Sequence, residues 1–164
     1  MILVTVGNQL PFDRLVGEMD RIAADLPHRV VAQTGRNAGV FANLETHVSL
    51  PAEEFERLAG QARIIVSHAG IGSVLLARRL GKPIVVIPRL FALGEHRNDH
   101  QRATAARLRG VNGVVVAENE NALKSAVLSA LDMTHQPVSE SPNIKRLRGA
   151  VATFIDTGTI PHQP

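Results

Sequence analysis

Four apolar runs, three stopped directly by a glycine or a proline and one breaking at Ser67 into a glycine-containing turn, constrain this chain most. They are MILVTV at residues 1–6, HRVVAQT at 28–34, RIIV beginning at 63, and PIVVI at 83–87. A run apolar at successive positions buries both of its faces, which suits a strand of a parallel sheet covered by helices on either side. The intervening segments have helical spacing. Phe12, Leu15, Val16, Met19, Ile22, Ala23 and Leu26 recur at intervals of three and four, with Pro11 in the first turn and Pro27 at the end. Shorter strands are expected at 46–50 and 113–116. Further helices are expected at 51–59, from about Gly72–Ser73 to Leu80, and at 98–108, 122–131 and 143–155. Gly81 and Gly110 stand where helix stops are needed. Residues 36–43 and 88–97 read as loops, and 133–142 as a linker. Strands alternating with helices, joined by right-handed crossovers, predict one doubly wound, mostly parallel, Rossmann-like α/β sheet of order 3-2-1-4-5-6. A single domain over 1–157 and a tail over 158–164 follow.

Composition narrows the function classes. A chain of 164 residues with 45% hydrophobic and 20% charged residues has one ordinary core. Aromatic residues make up 3%, and Trp and Tyr are absent, so stacking on single-stranded nucleic acid lacks its rings. A net charge of +3 is too mild to argue for nucleic acid, and no nucleic-acid partner is expected. Arg102, Arg107, Arg109, Lys145, Arg146 and Arg148 cluster late, either as solvated helix faces or as a surface facing a membrane or an acidic partner. There is no Cys, which removes disulfides and thiolate metal sites. No apolar run approaches the ~18 residues of a membrane span. Met1 leads directly into a strand without a basic region, so a cytoplasmic protein is expected.

In a sheet of this order the chain reverses between the first and fourth strands, and ligands bind in the crevice at the carboxyl ends there. The loops meeting at it are Gly7-Asn8-Gln9 and Ser67-His68-Ala69-Gly70-Ile71-Gly72-Ser73, with residues 88–100 beside them. Gly70 and Gly72 allow close approach to the backbone. The helix that follows offers unpaired N–H groups to a phosphate, and Ser67 and Ser73 add hydroxyls. The bland reading is a tight strand-to-helix turn without a ligand. The P-loop motif, the G-x-G-x-x-G fingerprint and the G-x-S-x-G elbow are all absent. Glu95, His96, Asp99, His100 and Gln101 crowd the start of a helix. His96 and His100 have the spacing of a zinc pair but lack further ligands, so no metal is expected. Polar contacts to a sugar or diphosphate, or a plain polar helix start, are the other readings. His28, His47, His135 and His162 flank strands or lie in the linker and tail, and read as structural or exposed.

Four segments carry a family likeness: VTVGNQLPFDRL at 4–15, IIVSHAGIGSVL at 64–75, LGKPIVVIPR at 80–89 and GEHRNDHQ at 94–101. In this combination and order the chain resembles the donor-binding, family-28 C-terminal half of GT-B glycosyltransferases. It is most similar to their stand-alone subunits of the Alg13 and exopolysaccharide PssE kinds. The resemblance implies a UDP-sugar donor held by Gly7, Asn8, Gln9, Ser67, His68, Ala69, Gly70, Gly72, Ser73, Arg89, Glu95, His96, Asp99, His100 and Gln101. It also implies no cofactor and no divalent metal. A membrane-anchored, Rossmann-type partner of the Alg14 or PssD kind would supply the lipid-linked acceptor and hold this chain at the cytoplasmic face of the membrane. The sequence departs from the pattern twice. Asn8 stands where many relatives have Thr, and Leu76 where many carry a ribose-binding Glu. Either Glu95 or another group would then serve the ribose, or the ribose would be bound loosely.

Two functions fit: the catalytic donor subunit of a heteromeric hexosyltransferase, and a non-enzymatic nucleotide-sugar-binding module that activates a partner. No catalytic residue is assigned. His68 is a candidate base, and a base on the partner is the alternative. Ile144, Leu147, Val151, Phe154 and Ile155 form an apolar stripe that packs on the chain's own sheet or docks the partner.

Overall fold

The computed structural model describes residues 1–7, 10–36 and 39–134. The expected final helix and its stripe lie outside them. Six strands form one sheet: β1 (Ile2–Thr5), β2 (Val30–Gln33), β3 (Glu45–His47), β4 (Ile64–His68), β5 (Ile84–Ile87) and β6 (Val114–Val116). Their order is β3-β2-β1-β4-β5-β6, as the alternation predicts, and every pairing is parallel. The helices are α1 (Asp13–Ala23), α2 (Ala52–Gln61), α3 (Ile71–Leu80), α4 (His100–Leu108) and α5 (Leu123–Asp132), with short 3-10 turns at Phe91–Leu93 and Glu120–Ala122.

The central strands are buried on both faces because alternate residues enter different cores. Ile2, Val4, Ile64, Val66, Val85 and Ile87 pack with Leu15, Val16 and Met19 of α1 and Leu123 and Val127 of α5. Leu3, Val31, Ile65, Ile84 and Val86 pack with Leu58 of α2, Val74 and Ala77 of α3, and Ala105 and Leu108 of α4. Among the described residues Phe12 is the one fully buried aromatic of the core, with Phe41 and Phe55 packed partly buried against it.

Several boundaries differ from expectation. β4 does not break at Ser67: it continues through His68, whose pairing with Ile87 extends the ladder to the crevice. β3 is shorter and shifted, and its exposed residues mark a sheet edge. α4 begins at His100, not residue 98, because Asp99 has non-helical φ −93° and ψ 19° and Asn98 Oδ1 accepts the His100 N–H at 3.3 Å. Gly81 ends α3 in the left-handed region (φ 63°).

Two glycines separate conformational need from accident. Gly81→Ala forces a β-carbon into left-handed backbone and is expected to cost about 1–2 kcal/mol. Gly17→Ala in α1 adds a Cβ that meets nothing within 4 Å, and is expected to stabilise by about 0.5–1 kcal/mol. Urea unfolding of the two variants checks the opposite signs.

Candidate functional site

All strands being parallel, their carboxyl ends share one edge, and Thr5, Gln33 and His68 come together there. A cleft of about 500 Å³ runs from β1, β2 and β4 to the facing helices α2 and α3. Gly7, His68, Gly72, Ser73 and Leu76 line it, together with Gln33, Ser49, Phe55 and Glu56. A smaller recess of about 250 Å³ continues from Gly7 and His68 to Arg89, His96 and Gln101.

His68 is the hinge of this site. Its imidazole fills the space between two glycines. A Cβ on Gly7 would lie 2.8 Å from His68 Cε1, and one on Gly70 would overlap the ring. Gly7 also has φ 78°, so it is required on both counts. Fully buried Ser67 donates to Ser73 Oγ at 3.0 Å and stands 3.3 Å from His68 Nδ1. Burial lowers the His68 pKa to about 4, with the charges of Arg89 and His96 acting in the same direction. The ring is therefore neutral at pH 7, a donor at one nitrogen and an acceptor at the other.

At the start of α3 the first amides have no intrahelical acceptor, and N-cap Gly70 offers no side chain to cap them. The first turn carries no acidic residue. Ile71 and Gly72 are exposed, and a Cβ added at Gly72 would meet nothing within 4 Å. Gly72 is helical with ordinary φ, so its value here is open space above the backbone and not left-handed freedom. This helix end presents partial positive charge to the cleft.

The segment between β5 and α4 divides its polar residues. Buried Gln101 lines the recess, and its Oε1 accepts the Arg89 N–H at 3.1 Å. His96 lines the recess with Nδ1 buried and without a hydrogen-bond partner among the described residues. His96 and His100 rings meet edge to face at 4.5 Å, and His100 Nδ1 contacts Asn98 Oδ1. Asp99 accepts the Phe91 N–H at 3.1 Å and lines a different groove with Arg102 and Arg109.

Glu95 and Arg89, expected toward the donor, are bonded to groups of the protein itself, although Arg89 also lines the recess. The Glu95 carboxylate takes two bonds from Arg14, both at 2.7 Å, and one from the Leu90 N–H at 2.8 Å. It is not among the residues lining the cleft beside Leu76, whereas Glu56 is. Arg89 is 2% exposed and donates to the carbonyls of Val6, Leu10 and Pro11. Ala69 is buried in the turn, and Asn8 and Gln9 lie outside the described residues. Among the described residues no group of three or more His, Asp or Glu could hold a metal.

Gln33, Ser49, Phe55 and Glu56 were not anticipated, because the expected crevice stopped at the first and fourth strands. The polar Gln33 at the end of the apolar HRVVAQ run was the available signal.

Residues 1–154 match the glycosyltransferase family 28 C-terminal domain. The chain belongs to that family. Solved structures agree on the fold of this family-28 domain. The glycotransferase of kitacinnamycin superposes with TM-score 0.63 at 24% identity, covering 80% of this chain and 34% of that one. ALG13, solved by NMR, gives TM-score 0.60 at 22% identity over 89% of this chain and 93% of that one. MurG of Acinetobacter baumannii gives 0.56 at 20% identity over 79% and 41%. The family-28 domain thus spans about a third of the kitacinnamycin enzyme and nearly the whole of ALG13.

The neutrality of His68 has a measurable consequence. Its pKa is about 4 in the folded domain against an ordinary 6.5, so between those values the unfolded chain binds the extra proton. The associated stability, on the order of 3 kcal/mol, is present in full above about pH 6.5 and is lost as pH falls toward 4. NMR titration of the ring should give the low value. His68→Gln should flatten the pH dependence of unfolding in that window.

Proposed function

We propose that this chain is the donor-binding, catalytic subunit of a heteromeric glycosyltransferase, taking a hexose from a UDP-sugar to a lipid-linked acceptor in polysaccharide biosynthesis. The observation that carries the reading is the uncapped start of α3, opening at Gly72 and Ser73 onto the cleft of about 500 Å³. The donor diphosphate lies over Gly72 and Ser73, where helix amides and a hydroxyl meet its oxygens without a divalent metal. The transferred sugar faces the recess of His68, His96 and Gln101. The nucleoside extends toward Ser49, Phe55 and Glu56.

Sugar transfer of this kind needs a base for the acceptor hydroxyl and stabilisation of the leaving diphosphate. The domain supplies the second. With a pKa of about 4, His68 is a weak base at neutral pH, which favours a base on the partner. Among the described residues no helix is long and apolar enough to cross a membrane. A membrane-anchored, Rossmann-type partner of the Alg14 or PssD kind fits this reading and would place the chain at the cytoplasmic face. The second reading, an accessory nucleotide-sugar-binding module, draws on Leu76 and on the absence of a strong base in the cleft.

Calorimetric titration with UDP, GDP and dTDP tests the donor site. UDP should bind tightest, and Gly72→Val should weaken it at least tenfold while changing stability by no more than about 1–2 kcal/mol. Unchanged affinity in that variant would sink the diphosphate placement. Turnover separates the two functions. Purified chain should transfer sugar to a lipid-linked acceptor only with partner-containing membranes, and Gly72→Val should abolish transfer. Full activity without the partner would refute the split enzyme. Partner activity that survives Gly72→Val would favour the accessory module.

A further inference from the structure

Two arginines that share Glu95 and the Phe12 ring as partners tie the walls of the crevice together. Arg89, at the end of β5, sends its guanidinium inward. Nη2 donates to Val6 O and Leu10 O, both at 2.7 Å, and Nη1 donates to Pro11 O and, at 3.4 Å, to Glu95 O. Its plane lies over the Phe12 ring at 4.6 Å. Three carbonyl acceptors of the β1–α1 connection, those of Val6, Leu10 and Pro11, are thus held by one buried side chain. Arg14, in the first turn of α1, reaches the other way. It grips the Glu95 carboxylate and also donates to Pro88 O at 2.9 Å and Glu120 at 3.0 Å.

We infer that Arg89 and the Arg14–Glu95 pair are positioning residues for the donor: they fix the β1–α1 loop against the β5–α4 segment, so that Gly7, His68 and Gln101 stay in register around the cleft. The inference rests on the donor-binding reading above.

The physical reason is the shape of the problem. In the β1–α1 connection the bond to the Val6 carbonyl is buried and those to the Leu10 and Pro11 carbonyls are part-buried, and a buried carbonyl left unpaired is costly. A guanidinium has five donors in a rigid fork and serves several carbonyls from one point, which an ammonium cannot do with the same directions. Burial pulls the Arg89 pKa below its usual value and Glu95 opposes that, while hydrogen bonding to Glu95 raises the pKa of Arg14. Both therefore stay charged. Gly7 closes the argument. Its backbone follows Val6, whose carbonyl Arg89 holds, and it packs so near the His68 ring that a Cβ added to it would lie 2.8 Å from Cε1. Loosening the loop removes the cover over His68 and widens the recess.

The test uses Arg89→Lys, which keeps the charge and loses the fork, and Glu95→Gln, which keeps the shape and loses the charge. UDP affinity is measured by calorimetry, amide exchange by mass spectrometry, and the His68 pKa by NMR. Both variants should weaken UDP at least tenfold, speed exchange at residues 10–16, and raise the His68 pKa by at least one unit as the ring gains water. In Glu95→Gln that rise is diagnostic, since removing a nearby negative charge alone would lower it. The double variant should bind little worse than either single one, because both break one unit. UDP affinity within twofold of wild type in folded variants would overturn the inference. So would weakened binding with unchanged exchange and unchanged His68, which would mean direct contact with the ligand. If wild-type protein binds no nucleoside diphosphate, the donor reading and this inference fall together. If wild type binds UDP and the variants bind equally well, only the inference falls.

Discussion

Parallel pairing of β1 with both β2 and β4 is the constraint on which the rest of this structure depends. Because β1 lies in the middle, strand order reverses beside it, and no crossover helix covers the carboxyl ends of β1 and β4 together. The crevice is a product of topology before any side chain is considered. The hydrophobic pattern enforces it. Ile2 and Val4 pack into one core and Leu3 into the other, so β1 is buried on both faces. A one-residue slip would exchange those sets and misplace Gly7 against His68.

Given that frame, His68 is unusual chiefly for what surrounds it. Extending β4 by two residues carries an imidazole to the crevice floor, between glycines that have no side chains to compete for the space. The same burial that seats the ring also keeps it neutral. A neutral ring beside a helix start leaves the positive potential there to the helix amides and to the Arg89 charge held behind the loop. Arg36 borders the neighbouring cavity of about 410 Å³, which also opens on Gly7. Charge at this site is thus mostly fixed backbone dipole and structurally committed guanidinium.

Sheet order and the crevice were legible because continuous apolar runs and glycine stops are local signals with a topological consequence. The extent of β4 was not. Ser67 and His68 are polar, and only the partner strand shows that their backbones remain in the ladder. Residue type correctly marked Gly7, His68, Gly72, Ser73, His96 and Gln101 as cleft neighbours, since glycine and polar residues at strand ends have few other uses. It did not show that Glu95 and Arg89, the second of which also lines the recess, bond to groups of the protein itself. A charged residue in a loop looks the same in sequence whether it meets ligand or loop carbonyls, and the deciding partners Arg14, Val6, Leu10 and Pro11 are more than seventy positions away. Phe55 and Glu56 were missed for a related reason: their helix faces the site across the sheet edge, and no spacing within α2 announces it.

The division of labour in the proposed reaction follows from what the crevice already uses. Arg14 and Arg89 are engaged by carboxylate and carbonyl groups, Glu95 is engaged by Arg14 and the Leu90 N–H, and Glu56 pairs with Arg79 at 2.9 Å. His68 binds a proton only near pH 4. A general base works best with a pKa near the operating pH. This half of the cleft instead offers preorganised donors whose orientation is set by folding, which is what a leaving diphosphate requires. Under the proposed function the proton acceptor for the acceptor hydroxyl then belongs to the facing half. Catalysis would depend on how closely the two halves approach over Gly72 and Gln101, so a partner contact that shifts the β5–α4 segment would act on donor placement through Glu95 and Arg89.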